Sequence, residues 1–176
     1  MATAGTFVTP TLVLELKDST TLLSPTLSGL DSLDRRYCTG TVAAISQAPR
    51  ALRERVWAAL LADVREMHAA GVRLLAGTDL GNPCLVPGAS LHDELGWFVR
   101  AGLTPVEALR TATVNAANAM NLSGEFGAVR ETFRADFVIV SSDPRATDGG
   151  LARLRTPAGV VRAGRWVDSL SLAGLR

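Results

Sequence analysis

The residue best placed to do chemistry is a single carboxylate at the end of an apolar run. Gly77-Thr78-Asp79 closes the run Val72 to Ala76 and opens the loop Leu80 to Ala89. Asp79 is therefore expected at a strand's carboxyl end, where α/β proteins gather their reactive groups. A carboxylate there can ligate a cation, take a proton from water, or simply cap the amides of its own turn. The partners such chemistry needs are scarce, for His68 and His92 are the only histidines and Lys17 the only lysine. Asp79 reads as one member of a catalytic set whose other members are absent from the chain. Cys38 and Cys84 have no CxxC or other ligand spacing, and two free thiols are expected, as in a reducing cytosol.

Composition narrows the partners. With 176 residues, 47% hydrophobic and 20% charged, the chain has the make-up of one soluble domain or slightly more. A formal charge of +1 and the lack of any basic run exclude nucleic acid as an expected partner. No apolar stretch approaches the roughly 20 residues of a membrane span, and Met1 to Pro10 has no signal-peptide pattern. No membrane partner and a cytoplasmic location are therefore expected.

The elements that must position Asp79 alternate. Thr6 to Leu14 reads as a buried strand with Pro10 as its blemish. Lys17 to Gln47 is a polar connection with short helical turns at most. Pro49 opens a helix whose apolar face is Leu52, Val56, Leu60, Val64 and Met67, closed by Gly71. Val72 to Ala76 is the second strand. Ser90, with Asp93 three residues on, is expected to cap a helix striped by Leu91, Leu95, Phe98 and Val99 and ended by Gly102. Thr104-Pro105-Val106-Glu107 is a capping box that opens another helix to about Asn118. After Asn121 come the β runs Asp136 to Val140, Gly159 to Arg162 and Arg165 to Val167. Ala163-Gly164 makes a hairpin of the last two.

The segments LLAGTDLG, PGASLHDELGWFVRAGLTPVEALRTATVNAANAMNL, RADFVIVSSDP and VVRAGRW, in that order, resemble the carboxyl-terminal part of a metal-dependent amidohydrolase of the imidazolonepropionase-like and prolidase-like subgroup. The resemblance runs from about Gly5 to Val167 and implies an α/β fold. Residues 1–120 would supply the last strands and helices of a (β/α)8 TIM-type barrel, with Thr6 to Leu14 as the seventh strand and Val72 to Ala76 as the eighth. Residues 121–176 would supply the carboxyl-terminal part of a small β-sandwich, and Ala2 to Gly5 resembles the tail of the preceding helix. The family's HxH pair, its carboxylated lysine or glutamate and its single histidines would all precede Met1. Lys17, lying after the seventh strand, does not match that lysine.

By resemblance Asp79 is both metal ligand and proton shuttle beside a divalent ion, zinc in the first instance, and His92 is a candidate substrate contact. His68 is expected to serve only as a dipole partner at its helix end, and Arg155 to lie on the sandwich surface. Asn82, Cys84 and the Pro87-Gly88 turn are rim or filler. The family's usual Gly-Lys before Ala-Asp is replaced by Thr132-Phe133, and its Asn-Pro-Ala by Asn115-Ala116-Ala117. Three functions are consistent with these residues. One is an amino-terminally truncated hydrolase of C–N bonds in an amide, cyclic amide or dipeptide, inactive and poorly soluble alone. Another is a non-catalytic interaction subunit, a homo-oligomer or a complement to a chain carrying the histidines. The third, an unrelated α/β binding module, gains only if Asp79 faces solvent.

Overall fold

The computed structural model describes residues 5–17, 19–146 and 149–167; residues 2–4, expected to belong to a helix tail, lie outside these. Two short strands, β1 (Phe7–Val8) and β2 (Arg73–Leu74), pair in parallel with Phe7 opposite Arg73 and Val8 opposite Leu74. The Arg73 guanidinium lies 4.0 Å over the Phe7 ring and also donates to the Gly5 carbonyl. Beyond the paired residues the Leu75 amide donates to Val8 O at 2.8 Å, so the strand direction continues toward Asp79.

The strand expected over Thr6 to Leu14 stops early. Pro10 brings no N–H to a ladder, Thr11 takes a left-handed conformation (φ 52, ψ 44), and the chain coils into a helical turn, α1 (Leu12–Glu15). No local side chain caps that turn. Its cap comes from 81 residues away, where the fully buried Glu94 accepts the Val13 amide at 2.7 Å through Oε2.

The connection from Lys17 to Gln47 is more helical than expected. Two 3-10 segments, Ser19–Leu23 and Pro25–Gly29, lead into α2 (Ser32–Ser46), capped by Asp31, which accepts the Asp34 amide at 2.8 Å. Only Cys38 and Val42 of α2 are buried, one step of four residues, which is why no periodic stripe appears. The long helix α3 (Arg50–Ala69) forms as expected, but its inner face is rotated. Leu52 and Val56 are about half exposed, while Trp57, Leu60, Leu61, Val64 and Met67 face the main core.

After β2 come α4 (Ala89–Ala101), α5 (Pro105–Thr111) and α6 (Val114–Ala119). Ser90 does not cap α4. Gly88 holds that position, and Ser90 is buried inside the first turn, where its hydroxyl accepts the Val86 amide at 2.8 Å. The Thr104 capping box forms with both reciprocal bonds, and Gly102 ends α4 at φ 112. The helix expected to run on to Asn118 breaks after Thr111. Past the break, the Asn115 amide donates to Leu74 O at 2.9 Å and ties α6 to β2. Leu12, Leu16, Val64, Leu74, Leu95 and Phe98 form the centre of the main core.

The three later strands, β3 (Phe137–Ile139), β4 (Gly159–Arg162) and β5 (Arg165–Val167), form an antiparallel sheet in the order β3-β4-β5. Ala163 and Gly164 turn β4 into β5 with φ of 50 and 76, the two positive values that suit a tight hairpin. Thr132 sits at φ 71 where the resembled family has glycine. For a β-branched residue that conformation costs about 1–2 kcal/mol. Arg155 belongs elsewhere than on this sheet: its guanidinium pairs with Asp93 of α4 at 2.5 Å.

Burial pushes the Glu94 carboxyl up to about 7 from its usual 4.5, and the amides of Val13, Leu12 and Thr11 partly oppose that rise. Because the folded value is the higher one, this group favours folding fully below pH 4.5, and the contribution is lost as pH climbs through 7. The whole effect amounts to about 3 kcal/mol. Urea denaturation across that range should show stability falling with pH, and Glu94→Gln, neutral throughout, should flatten the fall. Equal pH slopes for the two proteins would refute the assignment.

Candidate functional site

Asp79 lies five residues beyond β2, on the loop that joins β2 to α4. Its backbone is left-handed at φ 53, a conformation aspartate tolerates better than most residues. Asn82 holds it there, its amide donating to Asp79 O at 2.9 Å and to Oδ2 at 3.0 Å. The side chain is exposed, and its hydrogen bond from Asn82 falls on Oδ2. Gly77 explains how this loop leaves the strands: a methyl at that position would come within 2.5 Å of Thr9 Cγ2. The two strand ends therefore approach each other with only a hydrogen between them.

Asn82, read from sequence as rim or filler, is the residue that orients the carboxylate. Among the described residues no group of three or more histidine, cysteine, aspartate or glutamate side chains could hold a metal ion. One exposed carboxylate with an amide partner does not by itself make a metal site, since such ions take four or more ligands. What Asp79 can do alone is accept a hydrogen bond or a proton from something brought to it.

His92 is half-buried in the first turn of α4 and lines a different space, a cavity of about 660 Å³ whose walls include Lys17, Trp57, Trp97, Arg100 and Arg155 but not Asp79. The two residues singled out by sequence are thus not brought to one cavity. Among the described residues His92 Nδ1 is buried without a partner, and burial, together with the nearby Arg155 guanidinium, holds the ring's pKa below its ordinary value against a smaller opposing effect of Asp93. His68 is more than a dipole partner: its Nε2 lies 3.3 Å from Glu107 Oε1 and links the end of α3 to α5.

Two buried charges escaped the sequence reading. Glu94 sits three residues after Leu91 and four before Phe98, so its place on the apolar stripe of α4 was visible in the spacing. Lys17 had no such signal. It is 2% exposed and donates to the carbonyl of Leu14.

The amidohydrolase family model matches residues 9–167. The imidazolonepropionase of Deinococcus deserti is 44% identical over 79 residues, which is 44% of this chain and 19% of that protein. Among solved structures, a bottromycin amidohydrolase superposes with a TM-score of 0.74 at 31% identity, over 97% of this chain and 39% of its own. A prolidase described as putative, from Bifidobacterium longum, gives 0.62 at 26% identity over 92% and 35%. The chain spans about two fifths or less of the length of these relatives. Exposure of Asp79 would by itself favour an unrelated binding module; the family match removes that reading.

The Asp79 loop is also fastened covalently. Cys38 and Cys84, expected to be free, form a disulfide across 46 residues that joins α2 to the stretch just after Asn82. Spacing could not reveal it, because the pairing depends on a helix that the sequence did not signal. The bond sits in a second core with Leu27, Val42 and Val86. Closing a loop of this size removes about 4 kcal/mol of unfolded-chain entropy. The double replacement of Cys38 and Cys84 by serine should therefore lower unfolding free energy in urea by roughly that amount. A change below about 1 kcal/mol would show that the bond does not stabilise the loop.

Proposed function

The chain belongs to the amidohydrolase family, in the subgroup of imidazolonepropionase and prolidase, and on that premise we propose that it supplies the Asp79 share of a site that hydrolyses a carbon–nitrogen bond. The observation that carries this reading is the position of Asp79: past the end of β2, beside the end of the parallel strand β1, on a loop held by Asn82. Its carboxylate is the proton acceptor, taking a proton from the attacking water and returning it to the leaving nitrogen. In this reading β1 and β2 are the seventh and eighth strands of a (β/α)8 barrel in residues 1–120. The sheet β3-β4-β5 belongs to a composite β-sandwich in 121–176, where the exposed Val138, Ile139 and Trp166 await cover.

A divalent metal, zinc in the first instance, would supply the activated water in such a site. The described residues do not form a place for it alone, and in this reading a complementing segment would bring the other ligands. The substrate is an amide, cyclic amide or dipeptide. Imidazolonepropionase and prolidase among the relatives support that range. His92 is a substrate-side contact only for a ligand that occupies its own cavity. Among the described residues no helix is long and apolar enough to cross a membrane, and the cytoplasmic location expected with free thiols loses that support to the Cys38–Cys84 disulfide.

A second reading, a subunit that complements a histidine-bearing chain, is favoured by the β1–β2 pair. A two-stranded sheet leaves strand edges that seek a partner. Both readings have the same test. The purified chain given zinc should retain no stoichiometric metal and cleave neither a Xaa-Pro dipeptide nor a cyclic amide. Joined to, or mixed with, a segment carrying HxH and the remaining histidines, it should become active. Asp79→Asn should then lower kcat by about 10²- to 10⁴-fold. Turnover by the chain alone, or full activity with Asp79→Asn, would overturn the proposal.

A further inference from the structure

The cavity beside His92 carries an unmatched charge. Lys17 is 2% exposed, and among the described residues its ammonium, which has three donors, meets one acceptor, the Leu14 carbonyl. Arg100 and Arg155 add two more cations to the walls, and among the described lining residues Asp93 brings one carboxylate. Asp93 is already paired with Arg155 at 2.5 Å. Among the described residues no ion pair reaches Lys17 or Arg100. Burying a cation with unused donors is unfavourable unless an anion meets it, and the Lys17 pKa is lowered, chiefly by burial, with Glu15 opposing.

The rest of the lining is flat and aromatic. Trp57 and Trp97 meet edge to face with ring centroids 6.5 Å apart, and the Arg100 guanidinium stacks 4.5 Å over Trp97. A cavity of about 660 Å³ is in the range that holds small molecules. We infer that the space between α1, α3 and α4 is a binding site for a small aromatic carboxylate, with the carboxylate on Lys17 and the ring against Trp97. Arg100, stacked on the same indole, completes the anion's surroundings. Asp79 does not line this space, so the site is separate from the proposed hydrolytic one.

The test uses the 176-residue chain without added metal. Benzoate, followed by calorimetry and by tryptophan fluorescence, should bind saturably, and neutral benzamide should bind about tenfold or more weakly by comparison. Lys17→Met should lower benzoate affinity about tenfold and leave benzamide unchanged. Arg100→Gln, at an exposed position, should weaken benzoate several-fold whether or not the Lys17 variant folds. Absence of saturable benzoate binding, equal affinity for the two probes, or full benzoate affinity in the Arg100 variant would overturn the inference. Because the readout needs neither metal nor turnover, its failure leaves the hydrolytic proposal standing, and the reverse holds too.

Discussion

The grip of Glu94 on the turn after β1 is the interaction on which the rest of the arrangement depends. One buried carboxylate on α4 receives the amide end of α1, a helical turn too short to be stable by itself. It acts where the neighbouring side chains do not, since Pro10 carries no polar side chain and the Thr11 hydroxyl donates to Pro10 O at 2.8 Å. The contact joins the element that leaves β1 to the helix that follows β2. Parallel strands have no local hairpin to align them, so a side-chain bond across 81 residues does that work here. Asn115 makes the matching tie from α6 to Leu74 at β2 itself.

How much of this was legible depended on whether the cause was local. Pro49, Thr104, Gly102 and the Ala163-Gly164 turn act through their own backbone, and each boundary they set fell where the spacing placed it, although the helix that Thr104 opens ends at Thr111. Helix α2 did not announce itself because burial of only Cys38 and Val42 leaves nothing periodic to read. The α3 face was rotated because the core beneath it is built by α4, and Trp57 turns inward to meet Trp97. Ser90 looked like a cap and became a buried acceptor, since Gly88 could adopt the conformation that the turn required.

The candidate site divides the same way. Asp79 and its strand end were readable from one triplet and the apolar run before it. Its orientation by Asn82 and its fastening through Cys84 were not, because both depend on where the loop comes back. Thr132 is a different case. A threonine at φ 71 shows why glycine suits that turn, and just after it the Arg134 amide donates to Glu125 O at 2.9 Å before β3 begins.

The Cys38–Cys84 bond has a topological consequence. Together with the intervening chain it makes a closed ring that contains most of α2, all of α3, β2 and Asp79 itself. A backbone cut anywhere between the two cysteines would open that ring without separating the pieces. The piece carrying Asp79 would stay linked through Cys84 to α2, so the loop can lose a peptide bond and still keep its address in the fold.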